Sequence, residues 1–174
     1  CIVFENQLSN QRIFAMPHSQ GGTRLYTQEL IGSNWTEPQQ LAVLDLQEGE
    51  KINYPFMLTD GVTLYFSAEN EESLGGYDIY MTRYDSDDRS FLTPENIGMP
   101  FNSPANDYLY AIDEFNNLGW FATDRNMPQD SVCLYTFIPN PTRRIYNESE
   151  IGLDSIKRLA RISSIRDTWR NTQE

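Results

Sequence analysis

The chain has 174 residues, 39% of them apolar, and a net charge of −12, which suits one domain or part of one. So acidic a chain lacks the basic surface that nucleic-acid phosphates demand, and no run of about 18 apolar residues is present to span a membrane as a helix. The charge is uneven: residues 143–174 carry seven basic against five acidic side chains, a net +2, which leaves −14 on residues 1–142. An acidic body is compatible with cations, basic partners or uncharged ligands.

Taken in order, period-2 stretches rich in Tyr, Phe, Ile, Leu and Thr alternate with Gly, Asn, Asp and Pro clusters, the pattern of strands and turns. Ile2–Glu5, Arg12–Met16, Thr23–Leu30 and a short segment at Trp35 read as a first group of strands. Gln39–Asn53 reads as a crossover. Tyr54–Leu58, Val62–Ala68, Tyr77–Tyr84 and Ser90–Leu92 read as a second group, with Asp60-Gly61 as a hairpin turn. Glu95–Asn106 is a second crossover, kept out of a strand by its Gly and two Pro residues. Tyr108–Ile112, Leu118–Thr123 and Val132–Ile138 make a third group, with Arg144–Tyr146 as its outer strand. In the tail, Asp154 is placed to cap a helix over 155–170. Its Ile156, Leu159, Ile162 and Ile165 recur every three residues, so the apolar stripe spirals round the helix. Cys133 reads as a small apolar strand residue. Cys1 reads as a chain cut at the start of a strand, or alternatively as the lipid-bearing terminus of a bacterial lipoprotein.

These groups are copies of one unit. Gly21-Gly22-Thr23-Arg24-Leu25-Tyr26 returns 54 residues later as Gly75-Gly76-Tyr77-Asp78-Ile79-Tyr80, and Cys133-Leu134-Tyr135 follows another 55 on. Leu64-Tyr65-Phe66-Ser67 returns as Gly119-Trp120-Phe121-Ala122, again 55 apart, and Trp35-Thr36-Glu37-Pro38 as Phe91-Leu92-Thr93-Pro94. Landmarks sharing one offset mark internal repetition. Four short antiparallel strands per unit describe a β-propeller blade.

The run GGYDIY, then PENIGMPFNSP, then Asp107-Tyr108, then Trp120-Phe121-Ala122-Thr123-Asp124-Arg125 resembles the TolB-type propeller repeat, a relative of the WD repeat. The likeness is close over residues 75–125 and looser over 12–74 and 126–137. The second unit departs from it at Ala68-Glu69, where Asp-Arg is missing, and the first has a shortened loop at Pro17–Gln20. The resemblance implies an all-β fold of about three four-stranded antiparallel blades, at about 1–38, 54–94 and 107–146; it does not extend to the tail, whose residues 147–174 are read as helical from their own pattern. It also implies that these blades are part of a six-bladed ring, completed by further N-terminal blades or by a homodimer. It further implies a place in the bacterial cell envelope, periplasmic or outer-membrane-associated, with a protein or envelope component as partner and no cofactor.

In such a fold the crossovers and the loops between second and third strands share one face. That face is expected to hold His18, Glu69, Glu71, Glu72, Asn102, Asn106, Asp107, Asp124 and Arg125. They read either as a polar rim that grips a peptide, cation or glycan, or as internal hydrogen-bonding groups that tie the blades together, the latter above all for Asp78, Asp124 and Arg125. Asp85-Ser86-Asp87-Asp88 has the oxygens for calcium, but Ser90 stands where an EF-hand loop needs Gly and Asn96 where it needs Glu, so it reads as a hairpin turn. One histidine and two distant cysteines make a zinc site improbable. No G-x-S-x-G elbow exists, and the many loop carboxylates single out no glycosidase-like pair. The expectation is a non-catalytic scaffold, with a hydrolase or the structural half of a larger envelope protein as alternatives.

Overall fold

The computed structural model describes residues 2–140. Cys1, the outer strand expected at Arg144–Tyr146 and the tail helix lie outside the described residues. Within them the fold is all-β and every strand pairing is antiparallel. The first sheet contains β1 (Val3–Glu5), β2 (Gln11–Pro17) and β3 (Thr23–Ile31), with β4 (Asn34–Trp35) and β5 (Gln39–Gln40) both paired to β3. The second contains β6 (Lys51–Met57), β7 (Thr63–Glu69) and β8 (Asp78–Asp85), with β9 (Ser90–Phe91) and β10 (Glu95–Asn96) both paired to β8. The third contains β11 (Asp107–Asp113), β12 (Leu118–Thr123) and β13 (Cys133–Phe137).

Two details differ from the sequence reading. Gln39-Gln40 and Glu95-Asn96, expected in crossovers, are instead strand pairs. The chain folds back beside the long third strand because side chains on that strand hold the turn between. Gln28 donates to the Thr36 carbonyl at 2.5 Å, and Thr82 donates to the Leu92 carbonyl at the same distance. The start of β6 also lies earlier than expected, at Lys51. The ladder continues across one extra residue between Asn53 and Phe56, where Tyr54 takes a φ of 54°, a bulge that bends the strand without ending it. A matching irregularity separates Asp107 and Tyr110 in β11.

The repetition is visible in the register. A Phe on the second strand faces a Tyr on the third in every sheet: Phe14 with Tyr26, Phe66 with Tyr80, Phe121 with Tyr135. The last two pairs are stacked, with centroids 5.9 and 5.2 Å apart. Strand alternation puts the flanking residues on the opposite face. These are Ile13 and Ala15, Tyr65 and Ser67, and Trp120 and Ala122.

The sheets stack face to face, and the first strand of each lies against the sheet before it: β6 against β1, β2 and β3, and β11 against β6, β7 and β8. Two apolar cores result. Ile13, Ala15 and Leu25 meet Ile52, Leu64 and Phe66 in one, and Ile79 meets Tyr110 and Phe121 in the other. The middle sheet is therefore covered on both sides, which is why β7 is buried at consecutive positions from Phe66 to Ala68 while β2 and β12 alternate. Side chains also bond across the joints. Thr23 Oγ1 donates to the Ile52 carbonyl at 2.8 Å and accepts from its N–H, and Ser67 Oγ donates to the Tyr108 carbonyl.

The paired glycines ahead of β3 and β8 have a steric reason. A Cβ on Gly22 would stand 1.9 Å from the Glu50 carbonyl oxygen, and one on Gly76 would stand 1.9 Å from Asn106 Oδ1. The chain entering the next sheet passes directly over these positions, and only glycine leaves it room.

Candidate functional site

The expected loop-face residues fall into two groups. Asn102, Asn106, Asp107, Asp124 and Arg125 lie together at the joint between the second and third sheets, in three adjoining sets of hydrogen bonds. Asn102 is wholly buried and stands in for a strand residue: its Oδ1 accepts from the Ile79 N–H at 2.7 Å, and its Nδ2 donates to the Ile79 carbonyl at 2.8 Å and to Asn96 at 2.6 Å. Asp107, also wholly buried, accepts from Ser103 N and Oγ and forms a 2.6 Å ion pair with Arg125. The Arg125 guanidinium donates as well to the carbonyls of Pro100 and Phe101. Asp124 accepts from Asn106 N and Nδ2 and from the Tyr108 hydroxyl. Burial pulls the Asp124 carboxyl upward, but these hydrogen bonds outweigh it and the net position is below the usual range. Asn102 and Asp107 therefore contribute nothing to a solvated rim; they anchor the crossover that ends at β11.

Asp78 belongs to the same joint. It is wholly buried, its Oδ2 accepts from Leu74 N at 3.0 Å and Asn96 Nδ2 at 2.8 Å, and its Oδ1 makes no hydrogen bond. Burial first, and the Asp107 charge last, push its carboxyl above the usual 3.8. A folded-state value above the unfolded one means that the group costs nothing at lower pH, and that its cost grows as pH rises from 3.8 through the raised value. Asp78→Asn keeps an acceptor for both donors and removes the buried charge. It is expected to raise stability by about 1 kcal/mol in neutral buffer and to lose that advantage in acid. Urea unfolding in the two buffers checks this, and a variant less stable at neutral pH would contradict it.

The second group lines a groove of about 830 Å³ between the first and second sheets, where His18, Glu71 and Glu72 come together. The floor is Val43, Leu44 and Leu46 from the crossover after β5, with Tyr80, Phe91 and Leu92 from the second sheet. Asp45, Glu71 and Glu72 stand exposed on the rim, and His18 is half-buried. Arg24 fixes this crossover from below, donating to the carbonyls of Thr23, Leu46, Gln47 and Glu50. Glu50 carries the same hold to the opposite wall, accepting from Gln47 N at 2.6 Å and Glu71 N at 3.1 Å. Glu69 stays out of the groove, in a 2.9 Å surface pair with Lys51.

Sequence reasoning missed the groove floor and a tyrosine cluster beside the Asp124 hydrogen bonds. Tyr54 packs edge-on to Tyr77 and Tyr108, at 5.6 and 5.5 Å, and Tyr77 lies 6.1 Å from Tyr108. Burial pushes the Tyr77 and Tyr108 phenols to about 12, helped in Tyr108 by Asp124, so both stay protonated. The signal was present, since Tyr54 and Tyr108 head the strands read from the sequence and Tyr77 follows the glycine pair. Asp85–Asp88 forms the β8–β9 turn, with Asp87 N donating to Asp85 at 2.9 Å.

Among the described residues no group of three or more His, Cys, Asp or Glu side chains is placed to hold a metal ion, and no helix is long and apolar enough to cross a membrane. A scan against protein-family models finds no match to this chain, and a search of curated proteins returns none.

Proposed function

We propose that the chain is a run of TolB-type propeller blades forming a non-catalytic scaffold, which holds a protein or other cell-envelope component on the face where its crossovers emerge. The blade reading is supported by the Phe–Tyr pair that recurs in each sheet and by the first strand of each sheet lying on its predecessor. It is also supported by what the end sheets keep. Ile13 and Ala15, then Tyr65 and Ser67, face a following sheet; Trp120 and Ala122 occupy the same register on the third. Phe14 on the first sheet matches Phe66 and Phe121, which face a preceding one. Each end thus presents half of a blade joint, as three blades of a six-bladed ring would, completed by further blades or a second copy. The placement in the periplasm or at the outer membrane rests on the resemblance alone.

The observation that carries the binding role is the 830 Å³ groove, concave and held open by Arg24 and Glu50. Its size is that of ligand sites in general, and its walls are loops on a rigid sheet scaffold, where binding residues concentrate. The test is a photo-cross-linking residue placed at Gln47 in the groove wall, with Arg89 on the β8–β9 turn as the control position. Cross-linking in cells is expected to give a discrete adduct from position 47 and none from 89. Adducts of equal yield from both positions, or none from 47, would end the proposal.

A further inference from the structure

We infer that the groove takes an extended polypeptide segment in which apolar side chains are flanked by Lys or Arg. This deepens the binding role proposed above and rests on it. The occupant follows from the chemistry of the walls. The floor is apolar, with Val43, Leu44, Leu46 and Leu92 beside Tyr80 and Phe91. A glycan site asks for open aromatic platforms, and the two aromatics here are engaged: Tyr80 is 2% exposed and stacked on Phe66, and Phe91 packs edge-on to Tyr84. Leu92 is 51% exposed there, a large apolar side chain left facing solvent.

Charge then selects among apolar occupants. The groove lining includes Asp45, Glu50, Glu71 and Glu72 against one cation, Arg24. Arg24 is 7% exposed and its guanidinium is engaged by four carbonyls, so it neutralises the rim poorly. The remaining excess of carboxylates repels lipid phosphates and acidic peptides and attracts ammonium and guanidinium groups. A partner held in this way has its apolar residues on Leu44, Leu46 and Leu92 and its basic residues over Asp45, Glu71 and Glu72. That division gives the floor the affinity and the rim the selectivity.

The probes are three labelled pentapeptides with blocked ends: Lys-Leu-Phe-Leu-Lys, the same core between two Glu residues, and the Lys-flanked form with an all-Ala core. Fluorescence anisotropy on the full chain is expected to show the first binding at least about tenfold more tightly than either of the others, with an affinity that falls as salt rises. In the double variant Glu71→Lys, Glu72→Lys that preference is expected to reverse in favour of the Glu-flanked peptide. Both positions are exposed and their side chains make no hydrogen bond that holds the fold, so the variant keeps its stability. Leu92→Asp is expected to weaken all binding. Equal binding of the Lys- and Glu-flanked peptides, or no change in the double variant, would overturn the inference. If no peptide binds while cross-links from position 47 are still found, the occupant is not a basic-apolar segment and the binding role stands; loss of both removes the role itself.

Discussion

Replacing Arg125 with Met is expected to destabilise the chain by about 3–5 kcal/mol, because it strips the partner from a wholly buried carboxylate. Asp107 has no exposure, and its 2.6 Å pair with Arg125 is the ion pair at the centre of the second joint. The same substitution leaves the Pro100 and Phe101 carbonyls without their donor, so the crossover loses its anchor as well. Small domains have total stabilities of about 5–15 kcal/mol, so the variant sits near the edge of folding. Urea denaturation measures the loss. The double variant Arg125→Met, Asp107→Asn separates causes: if the unpaired charge is the main cost, the double is less destabilised than the sum of the singles by about 1–3 kcal/mol. Strict additivity would show that the pair contributes little and that the carbonyl bonds do the holding.

The second large effect is expected at Asn102. Its amide accepts from the Ile79 N–H and shares the Ile79 carbonyl with the Ile97 N–H, extending the line of strand bonds past β10. Asn102→Ala orphans the buried Ile79 N–H and takes one of two donors from the Ile79 carbonyl and from Asn96 Oδ1, which keep the N–H groups of Ile97 and Gly98. The orphaned N–H costs about 1–3 kcal/mol and each lost bond about 0.5–1.5 kcal/mol, so a loss of about 2–4 kcal/mol is expected, on a par with large core truncations. Asn102→Asp is expected to be worse, since it removes both donated bonds and buries a charge. The Ile79 amide reports the mechanism directly: its hydrogen exchange should accelerate in Asn102→Ala far more than that of Tyr65. An unchanged rate at Ile79 would refute the role given to Asn102.

The fold was legible where the chain repeats itself at one spacing. Tyr26, Tyr80 and Tyr135 were aligned from their neighbours, and the register places all three opposite a Phe. Phe14 escaped alignment because only 12 residues separate it from Tyr26, against 14 from Phe66 to Tyr80 and from Phe121 to Tyr135. The shortened loop beginning at Pro17 accounts for the difference. The strand bounds of β12 were read without error, since an apolar run with Trp120, Phe121 and Ala122 ends before Asp124-Arg125. The tiny strands β5 and β10 were not readable, because two-residue pairings carry no period and depend on a side-chain hook from Gln28 or Thr82 to a carbonyl eight or ten residues on.

The site was less legible than the fold. Polar residues in a Pro- and Asn-rich run look solvated, and nothing local in Asn102 or Asp107 announces burial; that follows from Ile79 and Arg125, which are 23 and 18 residues distant. The groove has the same difficulty. Its floor joins Leu44 and Leu46 of one connection to Phe91 and Leu92 at the end of another sheet, and only folding brings them side by side. Of the nine residues that the blade reading put on one face, His18, Glu71 and Glu72 line the groove and the other six do not.

The glycines ahead of β3 and β8 bear on how such a chain can grow. Gly22 and Gly76 let main chain and a short side-chain amide from the following sheet settle against bare backbone, so each of the first two units carries the socket for its successor within itself. A duplicated unit therefore arrives ready to be joined, and lengthening the array asks for no new interface to be invented. The groove-lining segments at 41–47 and 71–72 lie beside that socket and not within it. Mutation can rework the groove lining without loosening the joint on which the stacking depends.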